Sequence, residues 1–345
     1  MIELRDNELK ISFPEVHPAA RMSINFQRTL RIPDDGRTYP LPPGLGRFPL
    51  AHVDDHADQV PSSWLERGGV MLPMYQSEAM WICFDGNRHY GSSAIYPFAI
   101  KIATGKICAV SGETWTDGLR REPQNYVVVP EQPWLDGYCV EKDVIRQFVA
   151  MPLGAGYTAE EQLTGEGEFG GIQSQVYPMK RAAYERRYAR RGDEVYEIDC
   201  LSVGCSDFSA TMGLSPGGRM RQEIYPDPFD SDEWDLTNTS RCFVHLANSM
   251  VWQSITGGEP PHPAPTAKSY TEHDLPWFDY YAEKPKTLQG SDTLQKLKSV
   301  ADRGREKGDA PLPENESCLV TRIKTLRAKL RADQIREWED DSCPF

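Results

Sequence analysis

The chain has 345 residues, enough for a substantial core and above the common size of a single domain. Its formal charge of −13 opposes a general role on duplex nucleic acid, because such binders gain affinity by releasing counterions to a positive surface. Hydrophobic residues at 39% mark a globular chain, while 27 Gly and 27 Pro announce many turns without reaching a low-complexity composition.

The opening MIELRDNELKISF carries charges where a cleaved signal would have its apolar core, and no run is long enough to span a membrane. The expectation is a soluble, cytoplasmic protein with no transmembrane segment. Its cysteines (Cys83, Cys108, Cys139, Cys200, Cys205, Cys242, Cys318, Cys343) are spread thinly, which predicts free thiols, several of them serving as small core groups.

Met22 to Ile32 reads as a strand, and the prolines of the following PDDGRTYPLPPGLGRFP predict an extended surface connection. HVDDHADQVPSSWLERGG predicts a helical turn that ends at Gly68-Gly69. From Val70 to Val149 the runs VMLPMYQ, AMWICFDG, YPFAIKIATGKICAVSG, QNYVVVP and VIRQFVAMPL are aromatic or β-branched and separated by turn residues, with Thr104-Gly105 as a hairpin turn. Strands that follow one another without crossover helices favour a mainly β protein, an antiparallel two-sheet, sandwich-like body with helical excursions.

Arg146 to Lys180 reads as strand, glycine-rich connection, strand: Phe148 to Leu153 is apolar and Ile172 to Tyr177 alternates with period two. Met151-Pro152-Leu153, Gly170-Gly171, Gln175 and Val176-Tyr177-Pro178 have an echo in Met212-Gly213-Leu214, Gly217-Gly218, Gln222 and Ile224-Tyr225-Pro226, so 146–180 and 212–228 are candidates for a repeat. KRAAYERRYARRGDEVYEID predicts a short exposed helix ending at Gly192. A Pro-rich strap then leads to Trp277, Phe278, Tyr280 and Tyr281, which are too apolar to stay in solvent.

Residues 291–317 read as a linker after a main domain over 1–290. In 318–345, Leu319, Ile323, Leu326 and Leu330 share one face of a helix predicted over Leu319 to Trp338, with Arg322, Lys324, Arg327, Lys329 and Arg331 opposite. That amphipathic helix is the expected contact for a second copy or a protein partner.

Cys200, Cys205, Cys242 and His245 are four soft ligands that could close a zinc site, although Cys242 and His245 would face opposite ways on a strand. Asp227, Asp230, Asp232, Glu233 and Asp235 offer hard oxygens to calcium without the glycine and bidentate Glu of the usual loop. His52 and His56 lack the Glu of the helical metalloprotease pattern. Buried thiols, a satisfied core histidine and an ordinary acidic turn are the simpler readings of these sets.

Gly165 to Gly170 imitates a dinucleotide fingerprint, but its carboxylates would repel a pyrophosphate. Glu160, Glu161, Glu166 and Glu168 could supply an acid–base pair for sugar chemistry. Arg146, Gln147, Gln173, Gln175, Arg219 and Gln222 recur on the central strands and would select a polar ligand if they converged on one pocket.

INFQRTLRIPDDGRTYPLPPGLGRFP, RQFVAMPLGAGYTAEEQLTG, GGIQSQVYP and GGRMRQEIYPD resemble strings shared by a family of uncharacterised microbial proteins, over roughly residues 22 to 282. The resemblance implies that these strings are hallmarks, brings no activity, and leaves the C-terminal segment outside. With no assembled nucleophile, base and orienter in view, the sequence predicts a non-catalytic binding or assembly protein. The runner-up is a metal- or carboxylate-dependent hydrolase, with carbohydrate as one candidate substrate.

Overall fold

The computed structural model describes residues 1–86, 95–188, 211–281 and 286–327. Strand outweighs helix, 36% against 19%, so the protein is mainly β. The first strands are β1 (Ile2–Arg5), β2 (Glu8–Ser12), β3 (Arg21–Thr29), β4 (Thr38–Tyr39), β5 (Gly44–Arg47) and β6 (Ala51–His52), followed by helix α1 (Ser62–Arg67). The expected strand-rich region supplies β7 (Val70–Met74), β8 (Ala79–Asp85), β9 (Phe98–Thr104), β10 (Ile107–Cys108), β11 (Val127–Val129), β12 (Trp134–Leu135), β13 (Gly137–Glu141) and β14 (Val144–Pro152). Then come α2 (Ala159–Thr164), β15 (Ile172–Pro178), α3 (Arg181–Tyr188), β16 (Thr211–Arg221), β17 (Ser240–Asn248), α4 (Ser249–Thr256) and α5 (Ala267–Glu272). The described chain closes with β18 (Trp277–Tyr281), α6 (Asp292–Gln295), α7 (Val300–Lys307) and β19 (Ile323–Arg327).

Seventeen of these strands join in one sheet, and β18 with β19 forms a second, parallel pair. The backbone of the large sheet is the antiparallel path β2–β3–β8–β14–β16–β17–β15–β9. Its two ends meet through side chains: Phe13, just beyond β2, lies 6.1 Å from Phe98 on β9, and His17 stacks on Tyr96. The sheet is therefore curled around one core, in which Ile24, Phe26, Ile82, Phe84, Ile100, Tyr138, Phe148, Val176 and Leu214 are buried. The backbone groups of the end strands are satisfied separately, by β1 along β2 and by β10 and β11 along β9.

The Thr104-Gly105 hairpin forms as expected, with Gly105 at φ +54° between β9 and β10. Trp277 docks as expected, buried 5.9 Å from Tyr39. The central stretch departs from the expectation by inserting α2 between its strands. Thr158 starts that helix with a reciprocal capping box to Glu161, which satisfies donors that a helix start leaves open.

The proposed repeat takes two topologies. Met151 to Leu153 and Gly170-Gly171 flank α2, whereas Met212 to Leu214 and Gly217-Gly218 lie on the single strand β16, and Met151 pairs directly with Gly213 across β14 and β16. The short strings match, but the units they sit in do not.

The C-terminal expectation needs correction too. Ile323–Arg327 is a strand along β18 rather than helix, because the Trp277–Tyr281 backbone offers an open edge and Ile323 and Thr325 suit a pleated backbone. Residues 328–345 lie outside the described residues. The linker expected over 291–317 carries α6 and α7 and is fastened to the body: Arg303 Nε donates to Gly156 O at 2.9 Å and Asp34 accepts from Ala301 N. Helix α3 forms over Arg181–Tyr188, while its expected end at Gly192 lies outside the described residues. Among the described residues no helix is long and apolar enough to cross a membrane.

Candidate ligand-binding face and cavity

Strands β9, β15 and β17 run side by side, and residues paired across them share a face. Gln175 lies between Lys101 and Arg241, and Gln173 lies between Ala103 and Phe243. His245, two residues beyond Phe243, continues the same face. Above this row Lys101 Nζ and the Arg241 guanidinium each sit 4.8 Å from the Trp115 ring, so one indole contacts two cations. The Arg241 guanidinium also covers Phe243 at 5.1 Å; Phe243 stacks on His245 at 6.2 Å, and His245 on Trp64 at 4.7 Å. Cation and ring thus alternate from Lys101 to Phe243, and stacked rings continue the row through His245 to Trp64 on α1. Gln173 anchors the row by accepting from Arg241 Nη2 and donating to Gly105 O.

His245 is held neutral. Its Nε2–H donates to Gly68 O at 3.0 Å, and burial pulls its pKa down to about 4. The backbone there has no room for a side chain: Gly69 has φ +90°, and an added Cβ would lie 2.2 Å from Phe243 O.

Beside the row, α1 carries Arg67 over the Phe169 ring at 4.2 Å, with Lys106 Nζ at 5.4 Å from the same ring. Phe169 is positioned by a buried carboxylate, since Glu160 accepts from Phe169 N and Gly170 N, at 3.2 and 2.9 Å to Oε2. Burial raises the pKa of Glu160, and those N–H groups oppose the rise. Between these elements lies a cavity of about 320 Å³, lined among others by Ser63, Trp64, Arg67, Leu153, Phe169 and Thr211. Glu168 also borders it, with its carboxylate on Lys106 Nζ at 2.8 Å.

The six polar residues expected to converge divide. Gln173 and Gln175 belong to the row just described; of the other four, three brace backbone elsewhere and Arg219 pairs with a carboxylate. Gln147 donates to Leu30 O and accepts from Ile32 N, Arg146 donates to Gly217 O, and Arg219 pairs bidentately with Glu141 at 2.7 Å. Gln222 accepts from Asp136 N and donates to Trp134 O.

The zinc set does not assemble from its described half. Cys242 turns into the core, where burial raises its thiol pKa to about 11, while His245 points to the opposite face of β17. Cys200 and Cys205 lie outside the described residues. Three of the five calcium candidates are spent on protein donors. Asp227 Oδ2 accepts from Tyr126 Oη and Trp234 Nε1, Glu233 pairs with Arg186 and Arg187, and Asp235 caps Thr237 and Asn238. His52 ends β6 and His56 lies in a following 3-10 turn, so no single helix face presents both. Among the described residues no group of three His, Cys, Asp or Glu is arranged to hold a metal ion.

Sequence reasoning passed over Trp64, Arg67, Trp115, Phe169 and Arg241. One signal was available: Arg241, Phe243 and His245 alternate with Cys242 and Val244, a period-two strand whose outer face is cationic and aromatic. Comparison with protein-family models, with curated proteins and with solved structures finds no match in any of the three.

Proposed function

We propose that this chain is a non-catalytic binding protein whose cavity takes a small ligand bearing an anionic group. The observation that carries the reading is Arg67. Its guanidinium is stacked on Phe169 at the cavity wall, and its described hydrogen bond, 3.4 Å to Glu168 O, leaves further donors for a ligand. A guanidinium is weakly hydrated and presents a planar fork that matches carboxylate or phosphate, so a stacked arginine is ready to pair with either. Ser63 and Thr211 add hydroxyls, and Trp64 and Leu153 add apolar wall. The volume lies at the small end of ligand pockets, roughly 300–1,000 Å³.

The nearby carboxylates favour binding over hydrolysis. Glu160 is engaged by backbone N–H groups, Glu161 by the cap of α2, and Glu166 and Glu168 by Lys106. Thiols not joined in disulfides at Cys108, Cys139, Cys242 and Cys318 suit a cytoplasmic setting. The test is calorimetric titration of the full chain with small mono- and dicarboxylates and phosphate monoesters. At least one should bind, and Arg67→Met should weaken it by about tenfold or more, the effect of losing a charged hydrogen bond of about 1.5–3 kcal/mol. If no member of the panel binds, or if Arg67→Met binds equally well, the reading fails.

A further inference from the structure

The cavity beside α1 is bordered by charges of both signs. Arg67 and Glu168 stand on its wall, and Lys106 and Glu166 flank Glu168, so two cations balance two carboxylates. Lys106, in the turn between β9 and β10, holds Glu168 by one oxygen only, Oε2 at 2.8 Å. Among the described residues Glu168 Oε1 accepts no hydrogen bond. Arg67 makes no ion pair among them either, because its hydrogen bond goes to the backbone O of Glu168, 3.4 Å away, and not to the carboxylate.

A cation and an anion bordering one cavity would close on each other unless something held them apart. Here the Arg67 guanidinium is kept on the Phe169 ring at 4.2 Å, and Phe169 is itself fixed through its backbone N–H to the buried Glu160. Lys106 draws the Glu168 carboxylate to its own side. Separate contacts therefore keep an open donor and an open acceptor on one wall. A simple anion on Arg67 would meet the Glu168 carboxylate, and a simple cation on Glu168 would meet Arg67 and Lys106. A molecule that carries both charges a short distance apart pairs with each and adds no net charge to the cavity.

We propose that the ligand of this cavity is a free amino acid bound as its zwitterion, with its carboxylate on the Arg67 guanidinium and its ammonium on Glu168 Oε1. The assignment rests on the anionic-ligand reading of the cavity and narrows it. The two charges of an α-amino acid are joined through a single carbon, and the guanidinium and carboxylate that would receive them belong to residues already in contact. Ser63 and Thr211 bring hydroxyls to the carboxylate, while Trp64, Leu153 and Pro61 leave apolar wall for the side chain. A volume of about 320 Å³, at the small end of ligand pockets, suits a single amino acid rather than a peptide.

The experiment is calorimetric titration of the full chain with L-alanine, L-serine, L-leucine and L-phenylalanine. Each is compared with the acid that lacks its amino group and the amine that lacks its carboxylate; for leucine these are 4-methylpentanoate and 3-methylbutylamine. At least one amino acid should bind the wild type about tenfold or more tightly than either truncated partner, since each truncation leaves a charged group of the cavity unpaired. In Glu168→Gln the advantage over the matched acid should shrink to about twofold or less, and in Arg67→Met the advantage over the matched amine should shrink likewise. The ligand series on the wild type decides the question even if a variant fails to fold. If every acid binds as tightly as its amino acid, the proposal is overturned and the anionic-ligand reading stands. A phosphate monoester that binds more tightly than all four amino acids has the same meaning. A folded Glu168→Gln that keeps the preference also overturns the proposal. If no amino acid, acid or phosphate monoester binds, the proposal and the reading beneath it fall together.

Discussion

Two buried titratable groups pull stability in opposite directions with pH. His245 has its folded pKa lowered to about 4 from the usual 6.5, so the unfolded chain takes up its proton first on acidification. Its contribution is complete above pH 6.5 and drains away as pH falls towards 4, at most about 3 kcal/mol. Asp136 behaves inversely. Burial raises its pKa to about 7 from 3.8, so the unfolded chain ionises first and stability is lost as pH rises through that window, by at most about 4 kcal/mol. Urea unfolding should therefore find His245→Phe losing less stability than wild type between pH 7.5 and 4.5. Asp136→Asn should gain a few kcal/mol over wild type at pH 8 and little at pH 4; equal gains at both pH values would refute the burial argument. Neither shift was legible in the sequence. Which face of β17 His245 takes follows from alternation, but what covers that face is set by α1, about 180 residues earlier in the chain.

At the scale of elements, period-two segments were readable and irregular ones were not. β9, β15 and β17 follow their alternation, whereas α2 was missed although Thr158 and Glu161 stand at capping-box spacing. The short helix lay inside a glycine-rich stretch whose Gly154, Gly156 and Gly165 all take positive φ, and those glycines masked its pattern. The C-terminal segment shows the converse error. A spacing of four, three and four is compatible with a helix but does not require one, and at Ile323 a free strand edge decided. Two substitutions test how the elements hold the cavity. Gly69→Ala must relieve a clash with Phe243 O at a positive-φ position, and should cost roughly 2–4 kcal/mol in chemical denaturation. Glu160→Ala should leave the fold assembled but strand the N–H groups of Phe169 and Gly170. We expect a loss of about 1–3 kcal/mol together with weaker binding of the carboxylate or phosphate probe, because Phe169 no longer holds Arg67 in place. A variant that lost stability but bound the probe unchanged would show that Phe169 is not what positions Arg67.

For the whole molecule, mainly β, antiparallel architecture was legible because successive strands without crossover helices have few ways to pair. The closure of the path between Phe13 and Phe98 was not, since it joins residues 85 positions apart that no local pattern connects. Charge shows the same contrast between composition and arrangement. A net −13 describes a molecule whose far field repels anions, yet Arg67, Lys101, Lys106 and Arg241 gather on the face that borders the cavity. The two fields differ in range. The repulsion sums charges spread over the whole surface and is already screened beyond about 8–10 Å at 0.1–0.15 M salt, whereas an anion in the cavity would touch Arg67 directly. Contact attraction should therefore govern affinity, and the global charge should act mainly on approach. Raising salt from 50 to 500 mM should weaken binding of the anionic probe several-fold, as expected for a partly exposed ion pair. Arg67→Met should flatten that dependence. An affinity that rose with salt would mean that the acidic surface, rather than Arg67, controls access to the cavity.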